Sequence, residues 1–131
     1  MTIDIEKLKA FPVPQVRETL RPNDIALYAL SIGLGRDPLD REQLRFVDPL
    51  QGPEVVPSMV LVMAHPGFWM GDPASGVDPK AVLHASQAFE ILAELPKSGE
   101  VESRTHITDI IDKGEGKAAL VQAETQLRDE A

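Results

Sequence analysis

Proline divides this chain into two regimes. All eleven prolines fall at or before Pro96, and none follows it. Proline lacks an amide hydrogen and clashes with the preceding turn, so it interrupts helices and is excluded from central strands. The first two thirds must therefore be short elements joined by loops, and only the last third is free to build long ladders. There, Val101, Ser103, Thr105, Ile107 and Ile111 alternate with Glu102, Arg104, His106 and Thr108, the period of a half-buried strand. The stretch Asp112–Lys117 holds two glycines and predicts a hairpin loop. Ala119, Val121, Ala123, Thr125 and Leu127 predict the inner face of a second strand. Helices and loops first, then sheet, is the pattern of an α+β domain.

Upstream, Gln15–Leu20 is a strand candidate. Asn23 is suited to cap a helix that follows Pro22, with Asp24 at the positive end of its dipole. Ile25, Tyr28, Ala29 and Ile32 share one face, while Leu27, Leu30 and Leu34 fill another. Such a helix is predicted to be buried on most sides. Gly33 and Gly35 supply the left-handed geometry that favours its end. Pro57 suits the first position of a second helix, carrying Met59, Val60, Met63 and Ala64 and ending near His65. Gly71–Pro79 reads as an exposed loop. Ala81–Leu95 is ambiguous. Val82, Ala85, Phe89 and Leu92 have helical spacing, whereas Leu83, Ala85, Phe89 and Ile91 would share a strand face.

Charge narrows the partners. The formal net charge is −8, so neither nucleic acid nor an anionic membrane surface is an expected partner. A small anion held by a few local cations remains compatible with that charge. There is no cysteine, which removes thiol nucleophiles, disulfides and Cys-zinc sites. His65, His84 and His106 share no metal-ligand spacing, and no metal or cofactor is expected. The N-terminal stretch has early acidic residues and no long apolar run, unlike a secretory signal. The apolar stretch Val55–Met63 is too short to span a bilayer. These features fit a single cytoplasmic domain.

The stretch YALSIGLGRDPLD, from Tyr28 to Asp40, is the most specific feature. It resembles the catalytic loop of the MaoC-like (R)-specific enoyl-CoA hydratases, which reads roughly Tyr-x-Leu-Ser-Gly-Asp-x-Asn-Pro-x-His. Tyr28, Leu30 and Ser31 match its first part, and Asp37, Pro38 and Leu39 match Asn-Pro-x after a small length change. The family's catalytic Asp falls on Gly33 and its His on Asp40. Hydration of a 2-enoyl thioester needs one group to activate water and another to protonate the α-carbon. Glycine can do neither. Further ordered matches include Val56–Met59, then Leu83, His84 and Gln87, then Leu95, Pro96 and Gly99, and finally Asp112, Lys113, Gly114 and Gly116. Together they resemble the degenerate N-terminal half of two-domain members, over roughly Val16 to Leu127. Departures occur at Ala85-Ser86, where the family favours Gly-Glu.

The resemblance implies a hot-dog fold, an antiparallel sheet wrapped around the helix Pro57–His65, with Ala81–Leu95 as a long strand beside it. It implies one domain over residues 1–131, lacking the family's last strand; the chain is either naturally short or a fragment. A missing edge strand exposes ladder groups that a partner can cover. The resemblance also implies an acyl-CoA or acyl carrier protein thioester as ligand and a second hot-dog domain as partner. Tyr28, Trp69, His84 and Gln87 are the candidate substrate-binding residues, with no catalytic residue at the vacated positions Gly33 and Asp40. The leading expectation is a non-catalytic, acyl-accommodating subunit or half of a hydratase or 3-hydroxyacyl dehydratase. One alternative is a self-sufficient hydratase or thioesterase using Asp37, Asp40 and His84. The other is a thioester-binding module without chemistry.

Overall fold

The computed structural model describes residues 3–130. Its regular elements are α1 (Ile5–Ala10), β1 (Val16–Leu20), α2 (Pro22–Ser31), α3 (Arg41–Val47), β2 (Gly99–Ile111) and β3 (Leu120–Asp129), with five short 3₁₀ turns among the described residues. The strands pair in the order β1-β2-β3, antiparallel, giving the expected α+β composition. The chain folds as two compact units, each assembled from separate stretches.

One unit comprises Arg17–His65, Ala88–Glu102 and the residues from Leu127 onward. Here α2 begins two residues earlier than an Asn23 cap requires. Arg21 is the cap residue, Pro22 occupies the first turn, and Asp24 Oδ2 accepts from the Arg21 amide at 2.9 Å. Proline at that position sacrifices no hydrogen bond, because the first amides of a helix have no internal acceptor. Ile25, Ala26 and Ala29 are buried. Leu27, Leu30 and Ile32 are exposed, Leu27 by 67%, so α2 packs on one side rather than on most. The helix ends at Ser31 with Ile32 as its C-cap, Gly33 at φ 99° and the Leu34 amide returning to the Ala29 carbonyl at 3.0 Å. That return is a Schellman closure, which glycine permits because it has no Cβ.

The element expected over Pro57–His65 is shorter and tighter. It is a 3₁₀ turn over Pro57–Leu61, with the Val62 and Met63 amides both converging on the Met59 carbonyl. Ala64 then sits at φ 46°, which ends the turn. Its amide donates to Glu18 Oε2 at 2.5 Å. Val60 and Val62 are poor helix material because β-branched side chains crowd the preceding turn. Only Met59, Met63 and Ala64 of this segment are buried.

The other unit comprises the stretch ending at Val16, then Pro66–Gln87 and Ser103–Gln126. Its short helix α1, not anticipated above, is capped by Asp4, whose carboxylate accepts from the Lys7 amide at 3.1 Å. Leu8 is fully buried. The Gly71–Pro79 stretch is not simply an exposed loop. Ser75 is fully buried, donating to the Met70 carbonyl at 3.0 Å and accepting from the Val77 amide at 3.3 Å. The Gly76 carbonyl accepts from the Asp4 amide at 3.1 Å. Phe11 and Trp69 stack at 5.9 Å between ring centroids.

The two long strands form as the alternation predicts. Val101 and Ser103 are buried, Thr105 and Ile107 half-buried, and Arg104, His106 and Thr108 exposed. Thr105 and Thr125 hydroxyls meet at 2.8 Å across β2 and β3, a cross-strand pair that fixes register. The inner face predicted for β3 is less covered, since Ala123 and Thr125 are exposed. The long strand implied over Ala81–Leu95 does not form. Residues 82–92 carry neither helix nor ladder, and Leu83 and Leu92 are 90% and 86% exposed. A strand exists only where neighbouring backbone supplies its hydrogen bonds, and among the described residues no segment pairs with this one.

Candidate functional site

The Tyr28–Asp40 stretch is held open by backbone geometry. Gly33 and Gly35 both lie at positive φ, 99° and 75°. A Cβ on Gly33 would lie 3.6 Å from the Arg36 guanidinium. A Cβ on Gly35 would fall 2.9 Å from Val47 Cγ2, so the bare backbone of Gly35 is what lets α3 approach. The Gly35 amide also donates to Gln43 Oε1 at 2.9 Å. Asp37 accepts from the Leu39 amide at 2.9 Å, a local Asx turn. Asp40 caps α3, accepting from the Glu42 and Gln43 amides at 3.1 and 3.3 Å. Thus the position matching the family's Asp is a helix-terminating glycine. The position matching its His is a carboxylate engaged by two backbone donors, a structural role that explains an aspartate there.

Beside this stretch lies an open groove of about 350 Å³. It is lined by Leu27, Met59, Val62 and Met63, by the hydroxyl residues Tyr28 and Ser31, and by Glu18 and Asp24. Tyr28 Oη and Ser58 Oγ are hydrogen-bonded at 2.8 Å. Ser31 Oγ donates back to the Tyr28 carbonyl at 2.6 Å. The arrangement is a mixed trough of four apolar side chains, two hydroxyls and two carboxylates. It offers no nucleophile paired with a base, and no cluster of three metal-ligating side chains occurs among the described residues.

The four expected substrate-contacting residues do not share one unit. Tyr28 lines the groove in one of them, and Trp69, His84 and Gln87 belong to the other. Trp69 is stacked on Phe11. His84 Nε2 and Gln87 Oε1 are 3.1 Å apart on an exposed segment. Sequence reasoning missed the contribution of Ser58, Glu18 and Met59. Ser58 was visible only as one letter of the Val56–Met59 motif, and its hydrogen-bond partner lies 30 residues away. Glu18 reads as a polar strand residue, and nothing local marks its carboxylate as the acceptor for the Ala64 amide.

Comparison with known proteins converges on one family. The family described as the MFE-2 hydratase 2 N-terminal domain matches residues 19–131. Enoyl-CoA hydratase ChsH3 of Mycobacterium tuberculosis is 35% identical over 131 residues, covering 95% of this chain and 44% of that protein. A peroxisomal enoyl-CoA hydratase 2 of Arabidopsis thaliana is 32% identical, covering 94% of this chain and 41% of its own length. The 3-hydroxyacyl-thioester dehydratase Y of Mycobacterium tuberculosis is 32% identical over 123 residues, 92% of this chain and 40% of that protein. The chain thus spans less than half the length of these relatives. With two glycines shaping the Tyr28–Asp40 loop and the family match running from Thr19 onward, the chain belongs to the hot-dog family of MFE-2 hydratase 2 N-terminal domains.

Proposed function

We propose that this chain is the non-catalytic, acyl-accommodating subunit or half of an (R)-specific enoyl-CoA hydratase or 3-hydroxyacyl dehydratase. The observation that carries the reading is the state of the two vacated positions. Gly33 has no side chain and lies in a left-handed helix terminus, and Asp40 is engaged as the cap of α3. Gly33 offers no group to activate water or protonate carbon, and Asp40 Oδ1 is taken up by the first amides of α3. What the loop keeps is shape: it borders a partly apolar groove with room for an acyl chain, and Tyr28 lies in the groove wall. The ligand is an acyl-CoA or acyl carrier protein thioester, and the relatives' names, enoyl-CoA hydratase and 3-hydroxyacyl-thioester dehydratase, agree with that class. The partner is a second hot-dog domain carrying the intact Asp and His. Tyr28 is the candidate acyl contact of this groove; Trp69, His84 and Gln87 are candidate thioester contacts within the other unit, taken by themselves. The proposed setting is cytoplasmic.

A self-sufficient enzyme is less well supported. Of its candidates Asp37, Asp40 and His84, the two carboxylates accept from the Leu39 amide and from the first amides of α3, and His84 Nε2 lies 3.1 Å from Gln87 Oε1 on an exposed segment. The deciding assay is hydration of a medium-chain trans-2-enoyl-CoA by the purified chain, alone and with a catalytic hot-dog partner. Silence alone, with rate or chain-length range increased by the partner, supports the division of labour. Turnover by the chain alone overturns it.

A further inference from the structure

The charge of the Tyr28 groove points beyond accommodation to selection. Its floor and walls are apolar at Leu27, Met59, Val62 and Met63, yet two carboxylates, Glu18 and Asp24, also line it and no lysine or arginine does. Ser31 donates to the Tyr28 carbonyl, and the bond between the Tyr28 and Ser58 hydroxyls uses one of their two hydrogens, leaving one hydroxyl donor. Both carboxylates are fixed from behind by backbone amides, Glu18 by that of Ala64 at 2.5 Å and Asp24 by that of Arg21 at 2.9 Å. They therefore stay at the groove rather than swinging away into solvent.

Resting on the acyl-accommodating reading above, we infer that Glu18 and Asp24 are specificity-determining residues, which make the groove accept acyl chains with neutral ends and reject chains that end in a carboxylate. A neutral hydrocarbon tail gains by burial against the leucine, valine and methionines. An ω-carboxylate at the same place would lose its hydration, meet two like charges and find few donors in return. Like charges at a partly exposed site repel modestly, so the expected discrimination is about tenfold in affinity rather than absolute.

Three ligands of equal chain length separate charge from size: decanoyl-CoA, sebacoyl-CoA with its free ω-carboxylate, and the ω-methyl ester of sebacoyl-CoA. Their dissociation constants for the full chain are measured by titration calorimetry, for the native protein and for Glu18→Gln. Glutamine removes the charge while keeping an oxygen that can accept from the Ala64 amide. The native chain should bind the methyl ester about tenfold more tightly than the free acid, and Glu18→Gln should reduce that ratio to about threefold. Raising the salt concentration should shrink the native ratio as well. Equal affinity for acid and ester in the native chain overturns the inference while leaving the acyl-accommodating reading intact. A ratio unchanged by Glu18→Gln and by salt also overturns it. Failure of all three thioesters to bind overturns the underlying reading and the inference together.

Discussion

Replacing Gly35 with alanine tests whether the Tyr28–Asp40 loop is shaped by backbone rather than by chemistry. Gly35 lies at φ 75°, and a Cβ there would come within 2.9 Å of Val47 Cγ2 and 3.2 Å of its Cγ1. Two costs add. Left-handed backbone costs an alanine roughly 1–2 kcal/mol relative to glycine. Forcing a methyl group against a side chain that cannot fold away costs about 1–3 kcal/mol, since a branched valine has little rotamer freedom. The total, about 2–5 kcal/mol, is a large share of the roughly 5–15 kcal/mol that stabilises a typical domain. Urea unfolding followed by circular dichroism reads it directly as a lowered midpoint. The clash and the strain separate in a double-mutant cycle with Val47→Ala. Removing the valine methyls should recover about 1–3 kcal/mol and leave the backbone term. A loss under about 1 kcal/mol, or the same loss in both backgrounds, would refute the account of this loop.

Gly33→Asp restores the residue type of the family's catalytic acid but should not restore hydration by the chain alone. At φ 99° a Cβ is strained, and it would lie 3.6 Å from the Arg36 guanidinium, which would pair the new carboxylate. An enoyl-CoA hydration assay showing turnover would contradict this. Asp40→Ala should cost about 0.5–2 kcal/mol by uncapping α3, measured by urea unfolding, with no loss of hydration rate in the complex with a catalytic partner. Tyr28→Phe removes the 2.8 Å bond to Ser58 and should cost about 0.5–1.5 kcal/mol. The same change in a Ser58→Ala background should cost less, because its partner is already gone. Gly76→Ala would set a Cβ 3.0 Å from the Asp4 carbonyl oxygen at φ 74°, so thermal unfolding should show a lowered midpoint.

The features legible in sequence were those governed by local periodicity and backbone chemistry. Strict alternation from Val101 to Thr108 gave β2, and the proline-free final third gave its neighbour β3. Gly33 announced the end of α2, because few other residues accept its left-handed backbone. The motif residues of Tyr28–Asp40 were enough to point to the family.

What depended on distant chain was not legible. Ala81–Leu95 carries both helical and strand spacing, and the resemblance implies a strand, but strand formation needs a partner backbone, and none pairs with it among the described residues. Pro57–His65 has helical spacing, yet Ala64 turns left-handed where its amide meets Glu18, 46 residues earlier. Asp40 stands where the resemblance has a histidine and is a helix cap, because α3 follows it directly. The Tyr28 groove likewise exists only because β1, α2 and the Pro57–Leu61 turn bring Glu18, Tyr28 and Met59 to one place. Sequence alone set the strand periods and the turn points, and placed Gly33 and Asp40 in the Tyr28–Asp40 loop, since those follow from single residues and their near neighbours. Tertiary structure alone decided which extended segments pair, where the helical turns stop and which carboxylates face the groove, since each of those depends on a group far away in the chain.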